Sequence, residues 1–462
     1  MLTPQEVCAR ASEFRGLLRE RAPAVRECEA IDVIRALEEL KSAIEGAQAA
    51  LAVEFDGLRR EAEAERGVPV AARGKGVAAE VALARRESPS QGSRLVGLAR
   101  ALAEEMPHTR EALESGEISE WRATIVCRET AWLSREDRAE VDRQIAPRLA
   151  DLGSRQLGRE ARRIAQSLDV EGAVRHLDRA ESERRVTVRP APGAMAYLTA
   201  LLPMTQAVAV YASLTRDAEG ARVTGSSEGR GKGQLMADRL VELVTGQERA
   251  ADVPLKIQML ISDGSLLDEG TAPGWIPGHG PIPASAARRV AGNTRGEVFL
   301  RRLFTSPESG ELVAMESRSR EFTGELRRMI LLRDDVCRTP WCDAPIRHAD
   351  HAVSHASGGA TSFENGSGLC ERCNYVKEVA GWRHEADPRS LSVTTPTGHT
   401  YSADTPAMAR HIEAGIQRLT RAPLPQWERS SGREQASGPE QFAEREQAPS
   451  QDPEEVGSRG IA

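Results

Sequence analysis

Apolar residues repeat at spacings of three and four through the N-terminal part of the chain, and this pattern predicts helices. It is weak over residues 1 to 27. From 27 to about 66 it predicts one long helix. Leu37, Leu40, Ile44, Ala47 and Leu51 form a stripe that Phe55 and Leu58 continue, with Glu and Arg on the other face. A helix of that length packs in a bundle or pairs with a copy of itself. Bundle packing is the expectation, with a homodimer through this helix as the alternative. A Pro/Gly loop at 67–76 leads to helices that stop before Pro89, run on to Pro107 and break again at Gly116. Ser119 is placed to cap the next helix, and Ser134 with Asp137 resembles a capping box. Trp121, Ile125 and Trp132 read as core anchors, and helix continues to about 170 or 184.

Period-two alternation then takes over. RRVTVRP and AMAYLTALLP predict two strands turning at Pro190, Pro192 and Gly193. Two helices follow, then a strand at 254–262, a Pro/Gly loop, a helix, a hairpin turning at Pro307 and Gly310, and a helix over 323–332. The glycine-rich GARVTGSSEGRGKGQ lacks the G-K-[ST] ending of a phosphate-binding loop. SLSVTTPTGHTYSA predicts a last hairpin. The organisation expected is a helical domain (1–184), a mixed α/β region (185–320), a small cysteine-containing domain (321–405) and an acidic tail (421–462). The tail is too poor in apolar residues to offset its ordering entropy and is expected to be disordered.

Composition narrows this picture. The 462 residues exceed one core, and 40% hydrophobic with 28% charged residues describes a soluble globular protein. No signal-peptide run and no span of membrane length is present, so no membrane partner is expected. Grouped cysteines in such a chain point to a reducing cytoplasm. The net charge of −7 weighs against nucleic acid, yet Arg288, Arg289, Arg301, Arg302, Arg318, Arg320, Arg327, Arg328 and Arg333 concentrate ahead of the cysteines. They make either a local basic face or, for most of them, merely solvated helix positions.

Candidate chemistry gathers in residues 336–382, VCRTPWCDAPIRHADHAVSHASGGATSFENGSGLCERCNYVKEVAGW. Cys337 with Cys342 and Cys370 with Cys373 are two short pairs, each able to give two thiolates from one turn to a tetrahedral Zn²⁺. A redox disulfide or inert buried thiols are the competing readings. Cys8, Cys28 and Cys127 show no ligand spacing. Asp350 and His351 put a hard oxygen ligand beside a group able to take a proton near neutral pH. On a strand the two side chains point to opposite faces. If residues from 370 onward are helical, Cys370, Cys373, Asn374 and Lys377 share one side, and Asn374 offers an amide oxygen. His348, His384 and His279 lack such context.

At Asp350-His351, Gly358-Gly359, Asn365 and the C-x-x-C ahead of Asn374 and Lys377, the sequence resembles the HNH endonuclease family. The likeness is to its actinobacterial type, in which a long helical domain of unknown function precedes a C-terminal nuclease. The resemblance implies a ββα-metal fold stabilised by zinc and hydrolysis of DNA phosphodiesters. It implies His351 as general base, Asn365 as the residue orienting the histidine loop, and Asp350 with Asn374 as catalytic-metal ligands. Asn374 stands where many members have histidine, and oxygen-only ligation favours Mg²⁺ or Mn²⁺. Lys377, His355 and Arg333 are the expected nucleic-acid contacts. The rival reading is a non-catalytic zinc module that binds nucleic acid or protein; a scaffold multimerised on the first long helix is a third.

Overall fold

A single 39-residue helix sets the frame of the N-terminal part: α2 (Glu27–Glu65), preceded by α1 (Pro4–Glu20). After it come α3 (Val77–Arg85), α4 (Pro89–Glu104), α5 (Pro107–Glu114), α6 (Glu120–Glu129), α7 (Arg135–Ile145), α8 (Ser154–Leu168) and α9 (Val170–Ser182). The computed structural model describes residues 2–193, 195–226, 228–246, 259, 261, 265–266, 270–293 and 322–405. Prolines open α4 and α5, where a missing N–H costs nothing. The Ser134 hydroxyl caps α7 as expected, accepting the Asp137 N–H at 3.1 Å. Ser119 makes no side-chain cap bond.

The bundle core holds Leu102, Met106, Leu113, Ile118, Val126, Val141, Ile145, Leu157 and Ile164. Asp142 lies fully buried among them and accepts the His108 and Thr109 N–H groups at 2.8 and 3.0 Å, which satisfies the free donors that open α5. Ile125 is buried and Trp132 packs on the core, but Trp121 is 58% exposed and anchors nothing. Burial pushes the Cys127 thiol up to about 12, so it is inert at neutral pH.

α2 reverses the expected orientation. Its buried face is Ser42, Gly46, Ala49, Ala52, Asp56, Arg59 and Glu63, while Leu40, Ile44, Leu51 and Leu58 face solvent. Small side chains allow close approach of α4 and α5. The buried charges are paired: Arg59 with Glu80 at 2.7 Å, Asp56 with Arg60 at 3.0 Å and Arg100 at 2.7 Å. Glu63 accepts the Gly74 N–H at 2.6 Å.

The chain continues as an antiparallel hairpin of β1 (Arg185–Ala191) and β2 (Met195–Leu201), with Val188 opposite Leu198. Next come α10 (Met204–Val223) and α11 (Lys232–Thr245), packed on each other. The expected Pro/Gly loop holds a short hairpin, β3 (Gly274–Ile276) and β4 (Gly280–Ile282), before α12 (Ala284–Asn293). The hairpin expected around Pro307, four of the arginines (Arg301, Arg302, Arg318 and Arg320), the acidic tail and all but two residues of the strand expected at 254–262 lie outside the described residues.

After α13 (Gly324–Asp334), β5 (His348–His351) pairs antiparallel with β6 (Gly366–Leu369), and α14 (Glu371–Lys377) packs on both strands. A three-stranded sheet follows: β7 (Arg383–Ala386), β8 (Ser390–Thr394) and β9 (Thr400–Asp404). The sequence showed only its last two strands. The molecule is mostly helical with small sheets, and no described helix is long and apolar enough to cross a membrane.

α3 joins the two ends of the chain. Its Ala79 and Leu83 sit in one apolar cluster with the four cysteines, Leu369, Trp382, Leu391 and Val393. Its Glu80, besides pairing Arg59, accepts the Thr397 N–H at 3.2 Å. Arg372 of α14 donates to the Pro89 carbonyl at 3.0 Å. Glu80→Ala strands the Arg59 charge in a buried position, and a cost of about 3–5 kcal/mol is expected. The denaturant midpoint of the full chain reads this directly, with Glu80→Gln expected to lose less.

Candidate metal centre and histidine loop

Two turns bring the cysteines together. After α13 the backbone enters the left-handed region at Trp341 (φ 60°), and Cys342 N–H closes on the Thr339 carbonyl at 2.9 Å. Cys337 N–H bonds the Ala344 carbonyl at 2.9 Å. At the other end Cys370 is the N-cap of α14, its sulfur accepting the Cys373 N–H at 3.4 Å. All four cysteines are buried, none is in a disulfide, and their Sγ atoms lie within 4.8 Å of one another. The Cys342–Cys370 sulfur separation is 3.7 Å. Four sulfurs at about 2.3 Å from one ion stand about 3.8 Å apart in a tetrahedron, so the set could hold a metal such as zinc. Shared hydrogen bonds hold Cys370 below the usual thiol value, chiefly through Cys337, and push Cys373 up, again chiefly through Cys337.

The second group lies on the β5–β6 hairpin and α14. Asp350 bonds the Lys377 ammonium, which also donates to the His351 carbonyl at 2.7 Å. Lys377 is therefore committed to the strand and is nearly enclosed, its side chain 7% exposed. The His351 ring is buried, with Nε2 2.9 Å from Thr361 Oγ1 and Nδ1 3.8 Å from Asp350 Oδ1. The expected separation of the two side chains is thus partial. Phe322 packs on the imidazole at 4.6 Å between ring centres, and His355 meets it edge-on at 5.5 Å. Burial lowers the His351 pKa below the ordinary histidine value, with Asp350 acting in the opposite direction. The ring is therefore neutral at pH 7. His355 is exposed.

Asn365 ties down the loop after His351. Its Oδ1 accepts the Val353 N–H at 2.9 Å, and its Nδ2 donates to the Val353 and Ala360 carbonyls at 3.0 and 2.8 Å. A Cβ on Gly359 would stand 1.9 Å from the Val353 oxygen, so this closure demands glycine. Gly366, opposite His351 in the register, likewise leaves room for Ile330 and Phe322.

Asn374 follows Cys373 on α14. Its Oδ1 is buried and has no hydrogen-bond partner among the described residues. Such an oxygen carries a desolvation cost of about 1–3 kcal/mol unless something accepts its lone pairs. Ser367 Oγ, in the residue opposite Asp350, is in the same condition. His384, which nothing in the sequence singled out, is buried on β7 close enough to feel Lys377 and Asp350, and burial lowers its pKa to about 4. Its only sequence signal is alternation on a strand that was not foreseen.

Arg333 is corrected. It is 4% exposed, pairs with Asp334 at 2.6 Å, and donates to the Phe363 and Gly366 carbonyls at 2.6 Å each. Asp334 in turn accepts the Gly368 N–H at 2.6 Å. These buried charges hold β6 in place and have nothing left for nucleic acid. Of the expected contacts, only His355 is open to solvent.

Comparison with known sequences places the chain: it belongs to the family described as a domain of unknown function (DUF222), matched over residues 35–334. No curated protein and no solved structure matches it. The four clustered cysteines, Asp350, His351 and Asn374 all lie past the end of that match, so the family description assigns them nothing.

Cys370→Ser is expected to abolish zinc binding, measured by atomic absorption on the purified chain. A large loss in the stability of the C-terminal part should accompany it, because the binding free energy of a structural zinc is folding free energy. An unchanged metal content would remove the four-sulfur site.

Proposed function

We propose that the chain is a metal-dependent DNA endonuclease of the HNH type, in which β5, β6 and α14 form a ββα-metal unit braced by a structural zinc on the four cysteines. The observation that carries this reading is the buried, unpartnered Oδ1 of Asn374, on the helix whose Lys377 grips Asp350. It is a hard oxygen, removed from water, with a carboxylate held against the same helix. Asp350 and Asn374 would hold Mg²⁺ or Mn²⁺, since oxygen donors suit those ions. When bound, such an ion supplies positive charge at a phosphodiester and at its leaving oxygen.

The remaining steps belong to the chain. His351, neutral at pH 7 through burial, accepts the proton of an attacking water. Thr361 at Nε2 and Phe322 against the ring fix its orientation. Asn365 keeps the following loop in register with the strand pair. Lys377 steadies Asp350 and the β5 backbone. His355, exposed beside the His351 ring, is the group best placed to meet a flanking phosphate.

One observation favours the rival reading of a non-catalytic zinc module: Lys377 already neutralises Asp350. Cleavage separates the two. Nicking of supercoiled DNA is expected with Mg²⁺ or Mn²⁺, and His351→Ala should lower it by roughly 10²–10⁴-fold with zinc content unchanged. Asn374→Ala should raise the metal concentration needed for half-maximal cutting. DNA left intact by a folded, zinc-loaded parent chain would favour the rival.

The pH profile is a further expectation. A base whose pKa is depressed by burial stays unprotonated to lower pH, so activity should hold on descent through about 6.5 and fall only below it. An acid limb centred above 6.5 would point to a different base.

A further inference from the structure

The outward face of α2 remains after the bundle and the metal region are accounted for. Leu40, Ile44, Leu51 and Leu58 are 38%, 49%, 55% and 66% exposed, and Ala47 and Gln48 between them are exposed as well. The opposite face is filled by α4 and α5, so the bundle cannot turn the stripe inward. Leu37, Ile44, Leu51 and Leu58 fall seven residues apart. A seven-residue repeat keeps one seam facing a partner helix over several turns.

We propose that this stripe is the seam of an antiparallel two-fold dimer of the chain, with the two copies of α2 crossing between Ala47 and Gln48. The argument is self-complementarity. Reversing the helix about that midpoint sets Ile44 against Leu51, Leu40 against Phe55 and Leu37 against Leu58, each pair occurring twice. The same operation sets Lys41 against Glu54, an ion pair on each side of the crossing. Among the described residues Lys41 has only an exposed contact with Glu38 at 3.3 Å, which competes weakly. A parallel pairing in register would instead oppose Lys41 to Lys41 and Glu54 to Glu54. At the crossing itself Ala47 meets Gln48, so a small side chain makes room for an unbranched one whose amide can turn to the wet edge of the seam. The seam from 37 to 58 is about 33 Å long at the rise of an α-helix. A two-fold contact uses one patch on both subunits, and a patch that matches its own reverse is what such a contact requires.

Sedimentation or light scattering of the full chain should give about twice the monomer mass of 50.2 kDa. Ile44→Glu and Leu51→Glu, both at exposed positions, should return the mass to that of the monomer with the helical content by circular dichroism unchanged. A parent chain that is monomeric at tens of micromolar overturns the proposal, as does a dimer indifferent to both substitutions. Orientation is read by cross-linking in a Cys8→Ser, Cys28→Ser background. Lys41→Cys and Glu54→Cys chains should form a covalent dimer when mixed and oxidised, and neither should do so alone. Like residues would stand about 20 Å apart at the helical rise, beyond disulfide reach. Self-linking of either chain alone would overturn the antiparallel arrangement. None of these measurements depends on nuclease activity.

Discussion

Four sulfurs packed within 4.8 Å of one another, away from water, are the constraint on which the C-terminal part of the molecule depends. Thiolates that close together repel unless a cation lies among them, and neutral thiols give up hydrogen bonds with solvent for weak ones with each other. Each cysteine pair is a turn, and the turns carry the strand pair and helix between them. β5 and β6 are four residues each, and α14 is seven. Elements so short bury little apolar surface by themselves. An ion held by the four sulfurs would therefore couple its binding to the folding of this unit.

Behind the hairpin a second set of charges does the positioning. Arg333 and Asp334 are buried side by side, and their hydrogen bonds end on the Phe363, Gly366 and Gly368 backbone. They fix the register that puts Gly366 opposite His351. A slip of one residue would send the imidazole to the other face of the sheet, so this network guards the identity of the groups around the histidine.

The grouping of the four cysteines was legible in the sequence because ligand spacing is local, each pair declaring itself within a few residues, and the loop tied by Asn365 is local too. The three hydrogen bonds that Asn365 spends on its own loop join residues only five to twelve positions away. What failed was orientation. Amphipathic patterning says that leucines go inward, and in α2 they do not, because close-packed alanines, a glycine and paired charges make the better interface with α4 and α5. Arg333 failed for a related reason. An arginine run looks like a solvent face until a neighbouring Asp334 and two carbonyls are known to be waiting for it. His384 was missed because β7 carries too few residues to show its period.

The family match stops at residue 334, but the apolar cluster around the cysteines takes Ala79 and Leu83 from α3, deep inside the matched region. The boundary visible in sequence comparison thus runs through a shared hydrophobic interior. Cut there, the C-terminal piece would present Trp382, Leu369 and the sulfurs of its own turns to water. A chain divided at that boundary would equally leave Ala79 and Leu83 of α3 without the surface they cover.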